Sequence, residues 1–383
     1  MFYIQHGYGK SQKIHAVVAD GHVSGVILSP GHEDAATLES TAAACQNAGL
    51  DVLVDPQSYI YSTKPQGALR FHARNGVELT SMHWSASATS VLAHLSSIEA
   101  MAARVGARRR IIAPAPYHST LADYWMPAGL QYARTAQSQW SGSEVFASIV
   151  ISQDALSDWA TVQDWLDAAT LLDVHGFYLI VGRTGSPYPP FPWNPRNLAN
   201  LLRVIHTLSV INGYEVIWGY ADIDGLLGLA AGANGIASGW SYSLRQFSID
   251  RYFQERSGGA QPVPRILIPE LLSTLRTSEV ADIMEIAVEG ALNSLDGRSP
   301  EQIAELGNPE AQVAHLIQLA RLADAVSALP LDRRLGVVRE WIVSALQRLH
   351  DLAGQHVTIE ARHVARLRSY AEALELFDRE ATR

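Results

Sequence analysis

Asp55 is the side chain in this sequence best placed to do chemistry. It lies in the segment LDVLVDPQSYIY, residues 50–61, after the apolar run Val52, Leu53 and Val54, whose β-branched composition suits a buried strand. Pro56 follows at once and, having no amide N–H to give a sheet, ends the strand there. A carboxylate at the mouth of a buried strand loses solvation unless something there uses it. It can take a proton from water or stabilise positive charge developing on a substrate. It can equally close an Asx-turn onto the amides of Gln57 and Ser58, which is a purely structural task.

Other polar and aromatic residues stand at comparable places. His32 follows VSGVILS, Tyr117 and His118 follow RRIIA, Gln153 and Asp154 follow VFASIVI, Arg183 follows GFYLIV, Tyr220 follows EVIW, and Ser238 follows GIA. Gln57 and Gln153 carry carboxamides that could read the edge of a base, or serve as turn residues. His32 and His118 could supply a proton near neutral pH, or hold a structural hydrogen bond. Trp84, Tyr117, Trp218, Tyr220 and Trp240 offer rings on which an extruded base could stack, or ordinary packing. Arg183 and Arg245 could grip phosphate or pair with an acid, and Asp154 could cap the helix after it.

The elements that must position these groups repeat as strand, loop, helix, at intervals of about 25–40 residues, in the rhythm of an α/β chain of the TIM-type (β/α)8 class. An open doubly wound sheet is the alternative. Residues 1–20 are expected as a strand or hairpin covering one end, with the first core strand at 23–29 and the Asp55 strand second. Strands at 109–113, 145–151, 176–181, 215–218 and 235–237 follow, separated by helical stretches such as 35–48, 155–172 and 198–211. In a barrel the C-terminal ends of all strands open on one face, so Asp55, His32, Tyr117, Gln153, Arg183, Tyr220 and Ser238 converge there. The loop SPYPPFPW has four prolines within residues 187–192 and can be no regular element. Residues 1–260 form the expected barrel. Residues 261–383 read as a helical domain or appendage, broken at Gly297, Pro300, Pro309, Pro330 and Gly354. Its groups Arg333/Arg334/Arg339 and Arg362/His363/Arg366/Arg368 are either phosphate contacts or solvated helix faces.

With 48% hydrophobic and 17% charged residues the chain has the composition of a well-packed soluble protein. No run of roughly 18 apolar residues is present, and the start MFYIQHGYGK lacks the layout of a secretory signal, so a cytoplasmic protein with no membrane partner is expected. The single cysteine, Cys45, excludes an intrachain disulfide and a multi-cysteine zinc site, and is expected as a buried small hydrophobe. No metal and no cofactor are implied. The net charge of −9 argues against indiscriminate nucleic-acid binding but not against a local basic groove.

The order of these segments resembles the tRNA-guanine transglycosylase family, (β/α)8 barrels that exchange a base at an N-glycosidic bond. DPQSY is similar to the family's DSGG-aromatic-Q segment, SIVISQD to its G-I-V-Q-G segment, and GFYLIVGRTG to its G-Y-A-x-G-G-L segment. VIWGYADIDGLLGLAAGANGIASGW is similar to the segment before the family's final strand, and the likeness spans about residues 20–250. The resemblance implies Asp55 as the catalytic carboxylate, with Gln57, Tyr117, Gln153, Arg183, Trp218, Tyr220, Ser238 and Trp240 about the base. Arg245, Arg362, Arg366 and Arg368 would then meet the nucleic-acid backbone. Departures from the pattern matter as much. The zinc-binding cluster is absent, the covalent aspartate would fall at Ala237 or Ser238, and PAPYH replaces the acidic guanine reader. What remains suits a hydrolytic DNA glycosylase acting on a modified base, as in the phage-defence relatives of the family, with nucleic acid as partner. Base exchange on tRNA or DNA and a non-catalytic nucleic-acid-binding barrel are the alternatives.

Overall fold

The computed structural model describes residues 1–7, 12–63, 69–79, 84, 88–122, 126–185, 188–252, 263–286 and 298–381. Eight parallel strands make a nearly closed barrel: β1 (Phe2–Gln5), β2 (Gly25–Leu28), β3 (Asp51–Val54), β4 (Arg110–Ala113), β6 (Glu144–Ser152), β7 (Gly176–Gly182), β8 (Glu215–Gly219) and β9 (Gly235–Ser238). The ladder runs β3-β2-β1-β9-β8-β7-β6-β4, and β5 (Tyr117–His118) adds a short pairing to β6. β3 and β4, at the two ends of this path, pack side by side and bring the sheet round. The strands are nearly continuous apolar runs because both of their faces are buried, inward against the barrel's filling and outward against helices.

The strand at the centre of this path was expected only as a strand or hairpin covering one end, not as part of the barrel wall. Phe2, Tyr3, Ile4 and Gln5 are all buried, and β1 pairs with β2 on one side and β9 on the other. Its sequence FYIQ is too short and too near polar residues to announce a core strand. The strand expected first is therefore β2, and Asp55 ends the third strand rather than the second.

Around the sheet lie α1 (Gln12–Val18), α2 (Ala35–Asn47), α3 (His72–Asn75), α4 (Ala88–Arg104), α5 (Met126–Gln139), α6 (Trp159–Ala169), α7 (Pro195–His206), α8 (Gly225–Ala231) and α9 (Tyr242–Arg245). A hairpin of β10 (Arg265–Ile268) and β11 (Ser273–Arg276) follows, then α10 (Thr277–Ile286), α11 (Pro300–Ala304), α12 (Asn308–Ser327), α13 (Leu331–Gly354) and α14 (Ala361–Ala381). α12 packs on α1, α8 and β10, α13 on α8, and α14 on α7. The helical region shares one hydrophobic core with the barrel. Asp158, rather than Asp154, caps α6, and Cys45 is buried. No helix among the described residues is long and apolar enough to cross a membrane.

At the N-terminal ends of the strands the barrel is closed by one arginine. Arg110, in β4, is 6% exposed. Its guanidinium pairs with Asp51 and Glu215, reaches Glu144 at 3.3 Å and Tyr3 Oη at 2.8 Å, and lies over the Phe146 ring. Removing the cation leaves three partly exposed acids facing one another, which is the expensive way to break an ion pair. Arg110→Met is expected to lower stability by about 3 kcal/mol, seen as a fall in the denaturation midpoint at pH 7. An unchanged midpoint would reduce the cluster to solvent-screened surface charge.

Candidate active site

Asp55 continues the sheet by one residue, its amide donating to Leu28 O at 2.8 Å, and its side chain then turns into the C-terminal mouth of the barrel. Both chemical readings of its position hold at once. Oδ1 accepts the Gln57 amide at 3.0 Å, so the Asx-turn is there, with Gln57 in the left-handed region at φ 53°. The other oxygen, Oδ2, faces a ring of phenols: Tyr59 Oη donates to it at 3.0 Å, and Tyr178 Oη lies 3.4 Å away. Tyr220, also with positive φ, completes the ring, its hydroxyl 3.5 Å from that of Tyr59. Gly219 leaves the space that Tyr178 needs, since a Cβ there would come within 2.6 Å of the Tyr178 hydroxyl.

Burial raises the Asp55 pKa to about 6, against hydrogen bonds from Gln57, Tyr59, Tyr178 and Tyr220 that favour the anion. Burial, with the nearby Asp55 charge, drives Tyr59, Tyr178 and Tyr220 well above the ordinary phenol range, so all three remain donors. The site thus holds a carboxyl poised near neutrality among groups that do not titrate there, the pattern found at catalytic positions.

Beside it lie carboxamides with atoms left over. Tyr178 Oη donates to Gln5 Oε1 at 2.9 Å, and Gln57 Nε2 is 3.4 Å from Tyr220 Oη and 3.5 Å from His32 Nε2. Gln5 Nε2, Gln57 Oε1 and His72 Nε2 are buried with no hydrogen-bond partner among the described residues. Gln57 and His72 meet at Gly31, where a Cβ would lie 2.6 Å from Gln57 Oε1 and 3.2 Å from His72 Nε2. Burial pushes His72 down to about 3, so its ring is neutral, and Nδ1 is engaged by Tyr61 Oη at 2.9 Å. Phe247, from the loop after β9, closes the mouth, with ring contacts to Tyr59, Tyr117, Tyr220 and Tyr252.

A second acidic centre, absent from the sequence expectations, follows β8. Asp222 (φ 45°) accepts from Ser238 Oγ at 3.3 Å, Tyr188 Oη at 3.0 Å and His315 Nε2 at 2.7 Å. Burial raises its pKa, but His315, Arg245 and Arg366 outweigh that and hold it at about 2. A carboxylate therefore stands beside Ser238 after all, supplied by the preceding loop. Asp224 is bonded by Arg183 (3.2 Å), Trp193 Nε1 (2.7 Å), Arg366 (3.3 Å) and Tyr370 Oη. Through these two aspartates α12 and α14 are bolted to the barrel rim.

The expected site residues divide accordingly. Asp55, Gln57 and Tyr220 are brought together, and Tyr117 joins them through Phe247. Others have different tasks. Arg183 is buried against Asp224 and the Trp193 ring, 3.8 Å away, and burial lowers its pKa to about 10. Arg366 is locked between Asp224 and Tyr370, and Arg245 donates to the Gly239 and Trp240 carbonyls, so neither is presented to a phosphate backbone. Trp218 packs outward on Gly228 and Trp193, Trp84 on Tyr132, and Trp240 between His6 and Lys13, which leaves none of them a face for a base. Ser238 serves Asp222, and Gln153 bridges the rim to Thr184 and Asn197. His118 is buried near Gly129 of α5, away from Asp55. Arg362 donates to Pro189 O, and Arg368 is exposed on α14. Tyr178 alone among the missed residues had a sequence signal, a polar tip within an otherwise apolar strand.

These features define a TIM-type (β/α)8 barrel with a buried carboxyl at its C-terminal mouth. No family model matches the chain, and no curated protein matches it. Among solved structures, thiamine phosphate pyrophosphorylase from Pyrococcus furiosus matches at 10% identity and a TM-score of 0.33, over 66% of this chain and 90% of its own. No group of three His, Cys, Asp or Glu side chains that could hold a metal ion occurs among the described residues.

The raised pKa of Asp55 makes a stability statement. Its neutral form is favoured in the fold, so stability is gained as pH falls through about 6 toward the unfolded value of 3.8, and is weaker above that window. Asp55→Asn is expected to raise the melting temperature at pH 8, by a stabilisation on the order of 2 kcal/mol. The advantage should disappear near pH 4. A variant that melts lower than the parent at pH 8 would show that the tyrosine ring fully compensates the charge.

Proposed function

We propose that this protein is a DNA glycosylase that hydrolyses the N-glycosidic bond of a modified nucleobase, with Asp55 as its catalytic carboxylate. The observation that carries the reading is the arrangement at the mouth: one titratable carboxyl among tyrosine hydroxyls, with uncommitted amide atoms of Gln5 and Gln57 beside it. Cleavage at a glycosidic carbon develops positive charge on the sugar, and a buried anion stabilises it strongly where little water screens the interaction. The same carboxylate can accept the proton of the attacking water. Gln5 and Gln57 offer a donor and an acceptor to the edge of an extruded base, which must leave the stack before its bond can be reached. The order of segments that resembles the transglycosylases supports a base as the leaving group. A cytoplasmic role in defence against phages with modified DNA fits that substrate.

Base exchange is the second reading, and Asp222 is the observation that favours it, as a carboxylate near Ser238. Its oxygens already accept from His315, Ser238 and Tyr188, so both are committed to donors rather than turned toward a sugar carbon. Hydrolysis is therefore the better reading.

Incubation with modified and unmodified DNA, followed by mass spectrometry of small products, is expected to give free base and an abasic strand without any added base. Asp55→Asn should retain binding while losing a factor of about 100 or more in rate. The parent's rate should fall as pH drops below about 6, where Asp55 takes up its proton. Near-normal turnover in Asp55→Asn would reduce Asp55 to a turn residue. An enzyme–DNA adduct trapped at Asp222 would restore base exchange.

A further inference from the structure

Between β7 and α7, on the rim that carries Asp222 and Asp224, the chain presents Phe191 at 52% exposure. A single exposed apolar side chain is ordinary on a protein surface. What sets Phe191 apart is how firmly its backbone is held. Arg183 Nη2 donates to the Phe191 carbonyl at 2.6 Å, and Arg362 Nη1 to the Pro189 carbonyl at 2.8 Å. On either side, Tyr188 Oη reaches Asp222 at 3.0 Å, Trp193 Nε1 reaches Asp224 at 2.7 Å, and Ser369 Oγ donates to the Trp193 carbonyl at 2.7 Å. Pro189, Pro190 and Pro192 remove backbone freedom on both flanks. The Arg362 guanidinium lies 4.9 Å from the centre of the Phe191 ring, and Arg368 is exposed on the same helix. A rigid backbone mount for an apolar ring, with one cation over the ring's face and a place on the rim beside Asp222 and Asp224, suits insertion into something both stacked and anionic.

We propose that Phe191 is a wedge that enters the base stack of double-stranded DNA and fills the gap left by the nucleotide drawn toward Asp55. The inference rests on the glycosylase reading and adds that the substrate is a duplex. Extruding a base leaves a hole whose neighbours have lost their stacking partners, and a planar apolar side chain restores that contact. A ring carried on a backbone fixed in advance loses less conformational freedom on entering, and the Arg362 cation beside it would meet a phosphate bordering the gap.

The test uses the full chain and three fluorescently labelled DNA probes: an intact duplex, the same duplex with one tetrahydrofuran abasic position, and the corresponding single strand. The parent is expected to bind the gapped duplex about tenfold more tightly than the intact one, the scale of one base–aromatic stack. Phe191→Ala should bind both duplexes alike, and Phe191→Trp should keep the preference, with its indole emission changing on the gapped duplex alone. Retention of the preference in Phe191→Ala would overturn the wedge while leaving the glycosylase reading in place. Tighter binding of the single strand than of either duplex would also overturn it. No binding of any probe by the parent would overturn the wedge together with nucleic-acid recognition.

Discussion

The mouth of this barrel is organised by the need to keep one carboxyl out of water without neutralising it outright. Asp55 is 1% exposed, and no cation among the described residues bonds to it. An arginine there would fix the anion and draw its pKa down. Phenols do something different. They stabilise the charged form by hydrogen bonding yet remain neutral, so the carboxyl can gain and lose its proton at a pH the cell experiences. The glycine at 219, the left-handed turns at Gln57 and Tyr220, and the packing of Phe247 all serve to bring those hydroxyls round a single oxygen.

Across the rim the same residue type is used in the opposite way. Asp222 and Asp224 are surrounded by His315, Arg183, Arg366 and phenolic or indole donors, and Asp222 is held at about 2. They hold the C-terminal helices against the barrel. Burial pushes His315 down, against the Asp222 charge and hydrogen bond that favour its protonated form. The helical region is thereby part of the wall at the C-terminal end of the barrel, and Arg366, expected to meet nucleic acid, is used for that purpose. Only Arg362 and Arg368 of the expected backbone set stand near the surface.

The barrel was legible in the sequence because its signal is local. Runs such as VILS, VLVD and GFYLIV, each followed by a turn and a helical pattern, repeat with the right period. Asp55 was legible for the same reason, as a carboxylate pinned to a strand end by Pro56. What could not be read was partnership at long range. Arg183 and Arg366 look like phosphate ligands until Asp224 is seen between them, and the link from His315 to Asp222 joins residues 93 positions apart. β1 was expected only as a cover over one end because four residues carry too little periodicity to mark a core strand. Their burial depends wholly on neighbours contributed by β2 and β9.

That last pairing has a consequence for how the chain is made. β1 lies beside β9, with Phe2 matched to Ile236 and Ile4 to Ser238, so the first strand of the barrel has one of its two edges satisfied only by the last. At ordinary rates of translation the interval is on the order of tens of seconds. During it a fully apolar edge, FYI, waits beside a growing chain, and the loop eventually closed is among the longest the fold contains. The ring is therefore completed late and as a unit.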